Sequence, residues 1–388
     1  MASTQRRHVR GSCLLLAAGL LLLSPRAARA AGSAGYQYAD YSEADDRIDV
    51  TTQSALLEQD FGTDTRVRVQ GVIDTIAGAT PNGQPAPAGS DQVVLSQLHE
   101  RREAWNADVT HQFARVDVTV GVASSRESDY DSDGVSLNTV TSFNEKNTNL
   151  TVGLAGTRDR MKVFYQPDWA DKDTTDVIVG LSQLLDARTS VTVNLSWGRA
   201  TGFLSDQYKV VQKRIEVAPG IFLPITFAEN RPPERNRASL YASINRAYPT
   251  LRGALEGSYR FFHDDYGIDS HTLELAWFQR LGTKFILKPY LRLYTQSAAD
   301  FYYYRLDGTS IIPPFGAPNP AGPYYSSDYR LSELNTVNYA LKAIWNPTDR
   351  WQFDVQVERY DMHGTDDVTP ASAYPRATII TAGARFSW

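Results

Sequence analysis

The chain has 388 residues, with 39 lysines and arginines against 44 aspartates and glutamates, a formal net charge of −5. That acidity speaks against a nucleic-acid partner. Its single cysteine, Cys13, lies in the leader described next, which excludes disulfides, thiolate metal sites and thiol catalysis from the remainder.

Arg6, Arg7 and Arg10 open the chain, Leu14 to Leu23 is a short apolar run, and Ala28-Arg29-Ala30 is an A-x-A site. Together they form the pattern of a secretory signal peptide, too short to span a bilayer. Cleavage is expected after Ala30, leaving 31–388 as one outer-membrane barrel domain. The leader holds five arginines and no acid, so the mature chain carries a net charge of −10.

Beyond the leader, apolar residues recur at every second position. The clearest sets are Val67-Val69-Gly71-Ile73, Val116-Val118-Val120-Val122, Leu150-Val152-Leu154, Val191-Val193-Leu195-Trp197, Leu251-Gly253-Leu255-Gly257-Tyr259, Val337-Tyr339-Leu341-Ala343-Trp345 and Trp351-Phe353-Val355-Val357. Each set covers about ten residues, which suits a tilted strand crossing a bilayer. The connections alternate as well. Short turns near 60–64, 112–115, 144–148, 186–189, 248–250, 281–284 and 346–350 separate longer loops at 76–99, 124–134, 158–173, 200–235, 262–269, 297–330 and 362–375. This reads as an all-β fold, a transmembrane antiparallel up-and-down β-barrel with short periplasmic turns and long external loops. Fifteen strands follow from the count, and a sixteenth near Gly35 to Ser42 would bring both termini to the periplasm. Sixteen is the expected number, with fourteen or eighteen as alternatives. Loop 200–235 contains two further strand-like runs, Val210 to Val217 and Ile221 to Phe227. A soluble sandwich or propeller would have shorter strands and less regular turns.

If the apolar set faces lipid, its complement faces the lumen. That complement includes Arg66, Arg68, Arg102, Arg115, Arg237, Arg252, Glu256, Arg260, Glu274, Lys288, Arg292, Asp354 and Glu358. An Arg or Lys facing lipid near the midplane would cost about 2–4 kcal/mol, so the segregation has a physical cause. The charges could brace the wall as a ladder or line a pore that screens solutes by field, and both can hold at once.

Three loop features stand out. Asp129-Tyr-Asp131-Ser-Asp133-Gly134 opens like a calcium loop, but its twelfth position is Val140, where an EF-hand needs a glutamate, and a strand follows. That leaves a weak Ca2+ site at an external loop against a plain acidic tip. Loop 297–330 is unusually aromatic, with Phe301, Tyr302, Tyr303, Tyr304 and Phe315, which would suit a constriction, a partner surface or a loop that packs on its neighbours. His263-Asp264-Asp265 sits at a strand end without any nucleophile motif, so no catalytic residues are assigned and no enzyme is expected.

The final strand, Thr378 to Trp388, alternates Ile380, Ala382, Ala384, Phe386 and Trp388 against polar or small residues, and it stops on an aromatic. Such a strand suits recognition by the barrel-assembly machinery.

Several stretches also resemble an uncharacterised bacterial outer-membrane β-barrel family known as domain of unknown function 3570. They are Ile76 to Pro81, Glu100 to Glu103, Glu127 to Tyr130, Asn144 to Thr148, Gly180 to Leu185, Ser270 to Leu275 and, most specific, Tyr294 to Tyr302. The resemblance covers nearly all of the mature chain except loop 200–235. It implies a barrel in the bacterial outer membrane, among lipid and lipopolysaccharide, with redox lipoproteins of the envelope as a further partner class; it implies no activity. The expected function is a passive pore for small hydrophilic solutes, with a non-conducting scaffold as the alternative.

Overall fold

The computed structural model describes residues 31–45 and 47–388. The signal peptide and Cys13 lie outside the described residues.

Sixteen antiparallel strands close into one barrel. In chain order they begin with β1 (Gly32–Glu43), β2 (Asp49–Phe61), β3 (Thr65–Pro81), β4 (Leu95–Phe113), β5 (Val116–Arg126) and β6 (Tyr130–Phe143). Next come β7 (Thr148–Met161), β8 (Ala170–Asp186) and β9 (Thr189–Gly202). A separate hairpin, β10 (Val210–Ala218) and β11 (Ile221–Ala228), interrupts the wall. The wall resumes with β12 (Glu234–Tyr248), β13 (Gly253–Asp264), β14 (Asp269–Leu281), β15 (Phe285–Gln296), β16 (Leu334–Trp345), β17 (Trp351–Gly364) and β18 (Arg376–Ser387). Each wall strand pairs with its neighbour in sequence, except that β9 pairs β12 across the hairpin and β1 pairs β18 to close the ring. Both strands of the inserted hairpin start where the two strand-like runs of loop 200–235 start.

All seven expected short turns lie at one end, and the long loops lie at the other. The outer face alternates as a lipid-facing wall requires. Val69, Val109, Val120, Leu137, Leu154, Leu181, Leu195, Leu275, Leu341 and Val357 are exposed, a band that no water-soluble surface tolerates. Near the short turns the band ends in stacked aromatics. Trp345, Phe353, Trp351, Phe386 and Trp388 follow one another at centroid separations of 4.9–6.0 Å across β16, β17 and β18. An aromatic girdle at a membrane–water boundary has this form. At the seam, Gly32 and Trp388 exchange backbone hydrogen bonds of 3.2 and 3.0 Å. The Arg385 guanidinium donates to Glu58, 2.5 Å away, and to Ser33, locking β18, β1 and β2 together.

Most of the large buried apolar side chains lie at the long-loop end of the barrel. They form clusters. Val211, Phe227, Leu306 and Tyr325 pack the hairpin against loop 297–333. Tyr266, Ile268, Ala299, Phe301 and Leu331 form a second cluster, and Val93, Leu334, Ala373 and Tyr374 a third. These loops fold into a roof over the external mouth.

Candidate functional site

The lumen and its roof are the candidate site. Period two sends every second residue of each strand inward, where opposite charges meet across strands. Arg102 lies 2.5 Å from Asp74, whose other oxygen accepts from Thr52. Lys342 lies 2.7 Å from Asp354, and Lys288 lies 3.8 Å from Glu256. Glu358 accepts from Asn338 and Gln356. Arg66 pairs Asp60 near a short turn at 2.6 Å, and Arg68 stands in register between Glu58 and Asp108. Arg237 on β12 reaches over β9 to Asp176 on β8, at 2.8 Å. It can do so because Gly198 stands between them: a Cβ there would sit 2.2 Å from the Asp176 carboxylate and 2.6 Å from the Arg237 Nε. Lumen-facing acids and bases are therefore largely matched within the wall.

Two of the thirteen expected lining residues are elsewhere. Arg252 occupies a left-handed position (φ 53°) in the turn between β12 and β13 and donates to the Gly282 carbonyl. Arg115 lies in the turn between β4 and β5, with its guanidinium 5.6 Å from the Phe143 ring centre. In both places the alternation of side chains runs through a turn whose backbone has already left the wall.

The three aspartates considered for Ca2+ are not brought together around one point. Asp129 accepts from Gln207 at 2.6 Å and also from Tyr208. Asp131 pairs Arg160 at 3.1 Å, and Asp133 pairs Arg126 at 2.7 Å. Among the described residues no cluster of three or more His, Cys, Asp or Glu side chains is placed to hold a metal ion. His263 hydrogen-bonds Asp269, while Asp264 is taken by Arg235.

The aromatics of loop 297–333 are mostly buried in the roof rather than hung across the lumen. Phe301 and Tyr304 are buried, the Tyr302 hydroxyl meets Thr369, and the Tyr303 amide donates to Ser326. Phe315 is the exception. It is 78% exposed, with its ring 5.4 Å from that of Phe227 on the hairpin.

A charged network, invisible to the sequence reading, ties the roof. Asp328 is 1% exposed and accepts from Arg231 at 2.8 Å and from Arg330 at 2.6 Å. Arg231 also pairs Glu229 at 2.6 Å, and Arg330 also pairs Asp206. The buried Lys209 ammonium donates to the Pro81 carbonyl and lies over the Tyr329 ring. Burial alone would raise the Asp328 carboxyl, but Arg330, Arg231 and Lys209 hold it far below the usual carboxylate range. Burial pushes the Glu229 carboxyl up against the pull of Arg231, and it pushes Lys209 down. Backbone bonds add further ties, with Val210 donating to Asn82 at 2.8 Å, Leu306 to Gln212 at 2.9 Å, and Asn230 and Tyr325 to each other. The Arg47 guanidinium reaches the Ser372 carbonyl at 3.0 Å. The one signal in the sequence is the charge-free run 308–327, which ends on Asp328-Tyr329-Arg330.

Beneath the roof lies a cavity of about 740 Å³, bounded by the upper parts of β8, β12, β13, β14 and β15.

A profile of the family described as "Protein of unknown function (DUF3570)" matches residues 11–168 and 165–374. No curated protein sequence matches the chain. Among solved structures it is similar to a mutant of the ferric enterobactin receptor (PfeA) from Pseudomonas aeruginosa, at 13% identity and a TM-score of 0.45, over 91% of this chain and 59% of that one. The siderophore receptor PirA from Acinetobacter baumannii gives 12% identity and 0.44, over 91% and 59%. A bacterial polysaccharide outer membrane secretin gives 10% and 0.48, over 92% and 98%. The chain thus spans about three-fifths of the length of the receptors. Likenesses of this depth carry no functional information.

Proposed function

The chain belongs to the DUF3570 family, and within it we propose that this outer-membrane β-barrel is a passive conduit for small hydrophilic solutes. The observation that carries the proposal is the lumen wall: ion pairs and hydrogen-bonding side chains face inward on β2, β3, β4, β8, β12 to β17, with exposed apolar residues on the other face. Barrels of sixteen strands are wide enough to leave an aqueous channel unless loops or side chains fill it. Solutes would diffuse along a nearly neutral, strongly hydrated wall and enter past the roof, so the roof sets the rate and the size limit. The location rests on the lipid-facing band and aromatic girdle.

A second function has its own observation. The roof is extensively bonded, and Phe222 on the hairpin and Ile312 and Phe315 on loop 297–333 are exposed, which suits a non-conducting scaffold for envelope proteins. Planar-bilayer recording separates the two. A conduit gives discrete conductance steps, larger when residues 210–228 are replaced by a short Gly-Ser link. Silence from both forms, each shown to be folded, would remove the conduit and leave the scaffold.

A further inference from the structure

The cavity beneath the roof is unlike the rest of the lumen, because its lining is rich in cations. Lys172, Arg235, Arg237, Arg260 and Arg292 project from the wall, and Arg231 and Arg330 come down from the roof. Only three acids line it: Glu127, Asp206 and Asp328. Most of the cations are committed. Lys172 is held by Asp159 at 2.8 Å, Arg237 by Asp176 at 2.8 Å, Arg235 by Asp264, and the two roof arginines by Asp328.

Two are less so. Arg260 on β13 makes no ion pair among the described residues; its guanidinium lies 5.6 Å from the Tyr241 ring centre and is solvent-accessible. Arg292 on β15 pairs Glu274 at 3.4 Å, a longer contact than those above, and Glu274 shares its two oxygens with Ser258 and Tyr290, each at 3.1 Å. The strand β14 separates them, so their backbones stand roughly 10 Å apart. Thr272 on β14 is in register with Arg260, and Glu274, two residues further along β14, is in register with Arg292. An oxyanion beside Arg260 and the Thr272 hydroxyl would share Arg292 with Glu274, and planar guanidinium donors suit carboxylate or phosphate groups. The rest of the lining mixes aromatic and aliphatic side chains, including Phe203, Leu204, Phe262 and Ile268, with polar ones such as Gln207, Ser270 and Gln296. A chamber of about 740 Å³ falls in the size range of small-molecule sites. Glu127 is the one lining acid outside the roof network, and burial pushes its carboxyl up.

We propose that the chamber binds a small organic anion, with its oxyanion group held between Arg260 and Arg292 and its apolar body against the aromatic lining. The inference rests on the conduit reading only for the solute's route to the site. Its test is equilibrium binding to the full-length barrel in detergent, which does not depend on conduction. Calorimetry would use phthalate as the probe, with neutral phthalamide and inorganic phosphate as comparisons. Phthalate is expected to bind and phthalamide is not. Arg260→Gln should weaken phthalate binding roughly tenfold or more, the worth of a charge-assisted hydrogen bond, and Arg260→Lys should weaken it less. Arg252→Gln, at the far end of the barrel, should leave it unchanged. Because Arg260 has no acid partner, its replacement strands no buried carboxylate, and retained heat-modifiable gel mobility would report the fold. No heat with phthalate, equal binding of phthalamide or phosphate, or an unaffected Arg260→Gln variant would overturn the assignment. Binding without any conductance would instead remove the conduit and leave the site standing.

Discussion

Replacing Asp328 by Asn would test whether the roof is held by its ionic network. The carboxylate takes hydrogen bonds from Arg231 at 2.8 Å, from Arg330 at 2.9 and 2.6 Å, and from the Arg330 amide at 3.1 Å. Asn keeps the shape but removes the charge and turns an amide toward two guanidinium groups. Removing one partner of a buried ion pair costs about 3–5 kcal/mol. The lower end applies here, since Arg231 keeps Glu229 and Arg330 keeps Asp206. At about 1.4 kcal/mol for each factor of ten, ~3 kcal/mol raises the opened population of the roof roughly 150-fold. The wall has its own hydrogen-bond ladder and should not respond. Hydrogen exchange resolved by residue is the assay. Amides of the 210–228 hairpin and of 326–331 should exchange faster by about that factor, while those in β5 to β7 keep their rates. Unchanged exchange in the hairpin, with the variant folded, would refute the assignment of the network as the roof's main tie.

Other outcomes follow from the same geometry. The folded-state carboxyl of Asp328 is depressed, so its contribution is complete above the unfolded value near pH 3.9 and is lost as pH falls below it. Glu229, raised by burial, has the opposite sign: its ionisation opposes folding as pH climbs above its ordinary value. Roof protection should therefore fall below about pH 4 in the wild type, and the difference should vanish in Asp328→Asn. Gly83→Ala should loosen the roof by about 1–3 kcal/mol, because φ is +96° and the added Cβ would meet the Val210 carbonyl at 2.3 Å; proteolysis of loop 203–233 would report it. Arg292→Glu should shift the reversal potential toward cations, whereas Arg252→Glu, in its turn, should not; equal shifts would count against the placement of both.

The wall was legible because lipid and lumen impose one strict period on every strand. Fifteen of the expected strand positions needed no knowledge of contacts between distant residues, and β1 was found by requiring both termini on one side. The period also misled. Leu251, Gly253 and Leu255 alternate smoothly, yet β13 starts only at Gly253, and Arg252 has a backbone conformation no strand allows. Which aromatics of loop 297–333 would be buried was not readable, since Tyr325 packs against Val211 and Phe227 through a fold set by distant segments. The roof network escaped for the same reason. Asp206 and Arg330 lie 124 positions apart, and an isolated acid in a loop gives no sign of its partner.

The long-range ties of the roof constrain the order of events during biogenesis. Arg47 hooks a carbonyl 325 positions away, and Ser327 hooks one 244 positions away. The first joins loops next to the two end strands of the ribbon, and the second joins loops further in, on opposite sides of the seam. These ties, and the cluster that joins Val93 to Tyr374, wait for ring closure, so a newly inserted molecule passes through a stage in which its lid is only partly fastened.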